Sequence, residues 1–145
     1  MKVLVPTDLS PTATSGLKYA LSFLNNYKGG SIHVLHVVEN ESMRGEAQDQ
    51  LNALCALDHA NHTTITSHIT VGDFEEEIGA FAITHACSLV IMATKGVHGI
   101  QKLIGSRALK IISESTTPFI VTQREVHDDE VLDRIAVPIT LERED

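Results

Sequence analysis

Glycines, cations and a hydroxyl gather in one stretch of this chain. Between Ser88 and Ser106 an apolar run, Leu89 to Ala93, breaks into a loop carrying Gly96 and Gly99 and closes on Gly105-Ser106. A strand, a glycine loop and a helix N-terminus in that order make a site for an anion. Glycine lets the backbone approach a ligand with no Cβ in the way, and the unpaired N–H groups of a first helical turn point outward. Ser106 adds a hydroxyl, and Lys95, Lys102 and Arg107 add positive charge. The plain alternative is a strand-to-helix connection with two turn glycines. A second candidate is Asp8, in Pro6-Thr7-Asp8. Its carboxylate could bind a cation or a ribose hydroxyl, or cap the helix that starts near Ser10, and these roles are compatible.

Other chemistries find little footing. No Gly-Lys-Ser/Thr and no Gly-x-Ser-x-Gly occurs, so neither a Walker loop nor a nucleophile elbow is present. Of the eight histidines, His59, His62 and His68 straddle a helix end and a strand without an acidic or thiolate partner at ligand spacing, and no metal site is expected. His98 has no base or nucleophile beside it, and no catalytic residue is assigned. Cys55 and Cys87 are too few for a disulfide framework and sit in helix-like apolar surroundings, as buried inert thiols do.

The elements that must position these residues follow from periodicity. Val3-Leu4-Val5 reads as a short buried strand, and Ser10-Pro11 as an N-cap with proline at the first helical position. Leu17, Ala20, Leu21 and Leu24 continue that helix to about Tyr27, where Gly29-Gly30 stops it. Ser31 to Val38 is a second strand. A polar segment, Asn40 to Glu46, precedes a helix with Ala47, Leu51, Leu54 and Cys55 on one face. Thr63 to Val71, alternating Ile with polar residues, is a third strand at a sheet edge. Asp73 and Glu76 form a capping-box-like pair for a helix bearing Ile78, Phe81 and Ala82. Leu89 to Ala93 is the fourth strand. The following helix, apolar over Ala108 to Ser113, ends at Thr116-Thr117-Pro118, and Phe119 to Thr122 is a fifth strand. Strands alternating with single-helix crossovers predict a doubly wound parallel α/β sheet. Ligands bind such sheets beyond the carboxyl ends of the strands, where Thr7-Asp8, Val37 and Thr94 to Gly99 fall.

A chain of 145 residues with 43% apolar content can bury one real core. The net charge of −8 is unevenly placed: residues 125–145 hold eight acids against two bases, −6 in all, leaving −2 for residues 1–124. Neither part offers the basic footprint that nucleic acid needs. No apolar run reaches a membrane span, and Met1 leads straight into strand-like Lys2 to Val5, so a cytoplasmic protein without membrane contact is expected.

Six pieces in order make residues 1–124 resemble the universal stress protein family. They are Val-Leu-Val-Pro-Thr-Asp-Leu-Ser at 3–10, His-Val-Val-Glu at 36–39, Val-Gly-Asp at 71–73, Leu-Val-Ile-Met at 89–92, Gly-Ser at 105–106 and Thr-Pro-Phe-Ile-Val at 117–121. The resemblance implies a five-stranded parallel sheet with helices on both faces, a Rossmann-like three-layer sandwich of the adenine nucleotide alpha hydrolase-like kind. It also implies ATP or ADP as ligand, Mg only through the nucleotide phosphates, and a homodimer through the edge of the strand Phe119 to Thr122. The site residues implied are Pro6, Thr7, Asp8 and Val37 for adenine and ribose, then Met92, Ala93, Thr94, Lys95, Gly96 and Gly99. Gly105, Ser106 and Arg107 complete the set at the phosphates.

The family's nucleotide signature is Gly, two residues, Gly, nine residues, then Gly-Ser or Gly-Thr. Here Ala93 stands at the first glycine, adding a Cβ near an incoming phosphate, and eight residues separate Gly96 from Gly105. The expected function is nucleotide holding in a stress response with little or no turnover, since no base, positioned water and metal are seen together. The rival is a dimeric interaction module of the same fold that does not bind nucleotide.

The tail echoes the start. Residues 134–141, Arg-Ile-Ala-Val-Pro-Ile-Thr-Leu, repeat the pattern of residues 2–9, Lys-Val-Leu-Val-Pro-Thr-Asp-Leu. Residues 125–133 then read as an acidic linker, and 134–145 as the opening strand of a second, truncated domain. A native extension pairing with an edge strand is the alternative.

Overall fold

A computed structural model describes residues 1–25, 27–56, 63–94 and 106–122. In chain order it forms β1 (Lys2–Pro6), α1 (Pro11–Leu24), β2 (Ser31–Val38), a 3-10 turn (Glu41–Met43), α2 (Arg44–Cys55), β3 (Thr64–Val71), α3 (Phe74–Thr84), β4 (Leu89–Ala93), α4 (Ser106–Glu114) and β5 (Phe119–Thr122). The strands make one parallel sheet in the order β3-β2-β1-β4-β5. The expected doubly wound α/β architecture is present, and β3 and β5 lie at its two edges.

Strand alternation sorts the core into two layers. Val3, Val5, Ile32, Val34, Leu89 and Ile91 point to one face, where Leu17, Ala20 and Leu24 of α1 and Ala47 and Leu51 of α2 cover them. Leu4, Leu35, Val90 and Met92 point to the other, against Ile78, Phe81 and Ala82 of α3 and Ile111 of α4. β4 is apolar at every position and β1 at every position but Lys2, as a sheet covered on both faces requires. Lys110 Nζ, 2.8 Å from Glu75 Oε2, ties α4 to α3 at the surface.

Helix ends follow local chemistry. Ser10 caps α1 with Pro11 just inside, and the Asp73 carboxylate accepts the N–H groups of Glu75 and Glu76 at 2.9 and 3.3 Å. Three boundaries differ from expectation. α1 stops at Leu24 rather than near Tyr27, because Asn25 N–H turns back to Ser22 O and Tyr27 N–H to Leu24 O. Tyr27 still stacks on Phe23, ring centroids 6.1 Å apart, so apolar periodicity outlasts the helix. The segment before α2 is not simply polar coil. It makes a 3-10 turn and α2 begins at Arg44, whose guanidinium holds Glu41 Oε1 at 2.6 Å and the Ile69 carbonyl at 3.0 Å. α4 ends at Glu114, two residues short of Thr116, with Thr117 N–H bonded to Ser115 Oγ at 3.0 Å.

Cys87 is buried, but Cys55 is only half-buried at the end of α2, which corrects the expectation that both are buried. Burial pushes both thiols above their ordinary range, so neither is a ready thiolate. The acidic linker at 125–133 and the repeated segment at 134–141 lie outside the described residues.

Candidate functional site

The chain winds outward from β1 through β2 to β3, then returns across the sheet to β4 and β5, so the switch point lies between β1 and β4. Cα pairing of those two strands ends at Leu4↔Val90, although β1 runs on to Pro6 and β4 to Ala93. Beyond that point each strand is paired on its outer side only, which is where a doubly wound sheet opens a crevice.

The turn leaving β1 is locked by its own side chains. Thr7 is 2% exposed, its N–H donates to Leu35 O at 2.9 Å, and its Oγ1 accepts Leu9 N–H at 3.0 Å. Asp8 Oδ1 accepts Ser10 N–H at 3.0 Å, and Ser10 Oγ accepts Ala13 N–H at 3.4 Å. Leu9 is held at φ +59, a left-handed conformation that is uncommon for a side chain of this size. Backbone strain of this kind persists only where the surroundings over-determine it, and it clusters at ligand sites.

His36 of β2 completes the lock. Its Nδ1 lies 2.8 Å from the Thr7 carbonyl, which can only accept, so Nδ1 carries the proton and Nε2 of the neutral ring is an acceptor. Asp8, Leu9 and His36 line a cavity of about 230 Å³ with Val38 and with Met43, Glu46, Ala47 and Gln50 from the 3-10 turn and α2. Two carboxylates and a ring acceptor favour hydroxyl and amino donors, and disfavour phosphate inside this cavity.

Of the residues expected at the site, Pro6, Thr7 and Asp8 stand together at the end of β1, and Met92, Ala93 and Thr94 at the end of β4. Thr94 N–H donates to Thr122 O at 2.8 Å. Met92 is buried toward α3 and α4. The Ala93 Cβ lies 3.3 Å from where a Cβ on Gly16 would sit, toward α1. Val37 packs against the opposite core layer, so the cavity takes its neighbours His36 and Val38, as period-two alternation demands. Ser106 and Arg107 open α4. Lys95, Gly96, Gly99, Lys102 and Gly105 lie outside the described residues, as do His59, His62 and His98. Among the described residues no group of three His, Cys, Asp or Glu side chains is arranged to hold a metal ion, and no helix is long and apolar enough to cross a membrane.

His36, Glu46 and Gln50 were not identified from the sequence. A local signal did exist for the last two, which stand four residues apart on one helix beside the core residue Ala47.

The profile of the universal stress protein family matches residues 1–123. Universal stress protein MJ0531 of Methanocaldococcus jannaschii is 22% identical over 140 residues, covering 85% of this chain and 82% of that protein. Among solved structures, the universal stress protein from Archaeoglobus fulgidus in complex with dAMP superposes with a TM-score of 0.67 at 19% identity, over 83% of this chain and 96% of that one. A universal stress protein in complex with cAMP gives a TM-score of 0.64 at 15% identity, over 85% and 96% of the two chains.

Proposed function

The chain belongs to the universal stress protein family, and from that premise we propose that it holds an adenine nucleotide, ATP or ADP, across the carboxyl ends of β1 and β4. The observation that carries this reading is the locked β1–α1 turn, which presents Asp8 to a small cavity walled by β2, the 3-10 turn and α2. At about 230 Å³ the cavity is smaller than the roughly 300–1,000 Å³ of ordinary ligand pockets, so it suits a base or a ribose and not a whole nucleotide. Asp8 is assigned the ribose hydroxyls, and the Nε2 acceptor of His36 suits an exocyclic amine. Glu46 repels phosphate, so the phosphates run the other way, toward Thr94, the glycine loop and the start of α4. That α4 N-terminus supplies outward N–H groups, and Mg enters only with the phosphates. The dAMP and cAMP complexes of structural neighbours support an adenine ligand.

Turnover is slow or nil in this reading, because among the described residues Asp8 and His36 are given to the ribose and the base and none is assigned to activate water. The setting is a cytoplasmic stress response. Titrating the protein with ATP and magnesium in a calorimeter should give saturable heat. A folded protein that gives none at about 1 mM nucleotide (a weak Kd by any measure) would sink the proposal and promote the interaction module.

Self-association belongs to the same proposal. β5 is an edge strand of four residues, three of them apolar, and all four are half-buried within one chain. Unpaired apolar edges recruit a second strand. Light scattering at roughly tens of micromolar protein should read a dimer, and a monomer there would remove β5 as an interface.

A further inference from the structure

Three histidines meet on the α3 face of the sheet, well apart from the candidate site. His33 of β2 and His68 of β3 are bonded ring to ring, Nδ1 to Nε2, at 3.0 Å. His85, in the turn that ends α3, has its ring centroid 5.7 Å from His33 and 5.5 Å from His68. Phe81 closes the group, stacked on His85 at 3.7 Å and edge-on to His68 at 4.8 Å.

A hydrogen bond between two imidazoles needs one donor and one acceptor, so it exists only while the pair holds a single proton at that contact. A first added proton can sit on the outer nitrogen of the donor ring and leave the bond in place; a second turns the acceptor into a donor, breaks the bond and sets two cations against each other. Among the described residues the charged or titratable groups that act on the pair are basic: Lys2 from β1 and His85 on His33, and His33 and His85 on His68. Among the described residues the ion pairs join Arg44 to Glu41 and Lys110 to Glu75, and neither involves a carboxylate at the three rings. The turn itself is strained, since Ala86 takes φ +52. Lys2 Nζ donates to the His85 carbonyl at 3.2 Å, holding that turn to β1.

We propose that His33, His68 and His85 form an acid-operated latch: further protonation of the pair unlocks edge strand β3 and the C-terminal turn of α3 from the sheet. The latch is closed at neutral pH. Burial first, then the neighbouring cations, hold His33 and His68 below the ordinary histidine value of 6.5. The unfolded chain therefore binds more protons than the folded one as pH falls through 6.5, and stability drops from there down to the folded-state values. β3 pairs with β2 along its whole length, so opening would free the edge of the strand that carries His36.

The test compares thermal unfolding at pH 7.5 and pH 5 in the wild-type protein and in His33→Asn/His68→Gln, with chelator present throughout. The two amides place nitrogen or oxygen near Nδ1 and Nε2, so a strand-to-strand bond survives but cannot titrate. Wild type should lose roughly 5 °C more in Tm than the double variant between these pH values. Equal losses would overturn the latch. NMR titration of the imidazole signals in wild type decides the matter even where the variant does not fold. Both rings should titrate below 6.5 together with β3 amide shifts, and either ring titrating at or above 6.5 would refute the proposal.

Discussion

Gly16→Leu destabilises the fold by about 2 kcal/mol, while Gly16→Ala leaves it nearly unchanged. A Cβ on Gly16 would lie 3.3 Å from Ala93 Cβ, 3.4 Å from Ala93 N and 3.7 Å from Val5 Cγ1. Alanine needs a shift of only a few tenths of an ångström. Its advantage over glycine within a helix, roughly 1 kcal/mol, offsets that cost. Leucine has nowhere to put its branched end without pushing α1 off β4, and overpacking of this kind costs about 1–3 kcal/mol or more. Urea unfolding of the three proteins measures the difference, and coincident midpoints would show that α1 does not pack on β4 this closely. Ala93 ends β4 beside the candidate site, so the leucine variant should also bind nucleotide less well at concentrations where it remains folded.

Asp8→Ala should weaken ATP binding by about tenfold or more, equivalent to roughly 1.4 kcal/mol. Alanine removes both the carboxylate facing the cavity and the acceptor that holds Ser10 N–H. Asp8→Asn separates the two effects, because an amide oxygen can keep the turn while the negative charge is gone. Asn should therefore fall between wild type and Ala in affinity and match wild type in stability. Equal affinity of Ala and wild type would exclude Asp8 from the ligand. A wild-type protein that binds nothing would instead remove the nucleotide reading as a whole.

Much of the architecture was legible locally. Leu89–Ala93 is a continuous apolar run and Phe119–Thr122 is apolar but for Thr122, and their strand limits match expectation. Ser10-Pro11 and Asp73 mark helix starts because a side-chain acceptor satisfies N–H groups within three residues of itself. The Gly29-Gly30 stop places the helix end near Tyr27, whereas the backbone already turns back at Asn25, whose N–H bonds Ser22 O. The start of α2 was missed because Arg44 takes one of its partners, Ile69 O, from a strand twenty-five residues away.

The sequence by itself determined that Thr7 and Asp8 follow β1 and where β4 ends, because strand ends and turn chemistry are short-range properties. It also pointed to a parallel sheet covered on both faces, since strands alternate with single-helix crossovers and β4 is a continuous apolar run. Only the tertiary structure decided that β4 returns to lie beside β1, which sets the ends of those two strands side by side. Only it showed which face each alternating side chain takes, turning Ala93 toward Gly16 and Val37 away from the cavity. His36 on Thr7, Glu46 and Gln50 on the cavity wall, and His33 against His68 are likewise decided there. The reason is that such contacts join residues some 30 or more positions apart. Their pairing follows from strand order and register, which the burial of the whole core selects and no local pattern encodes.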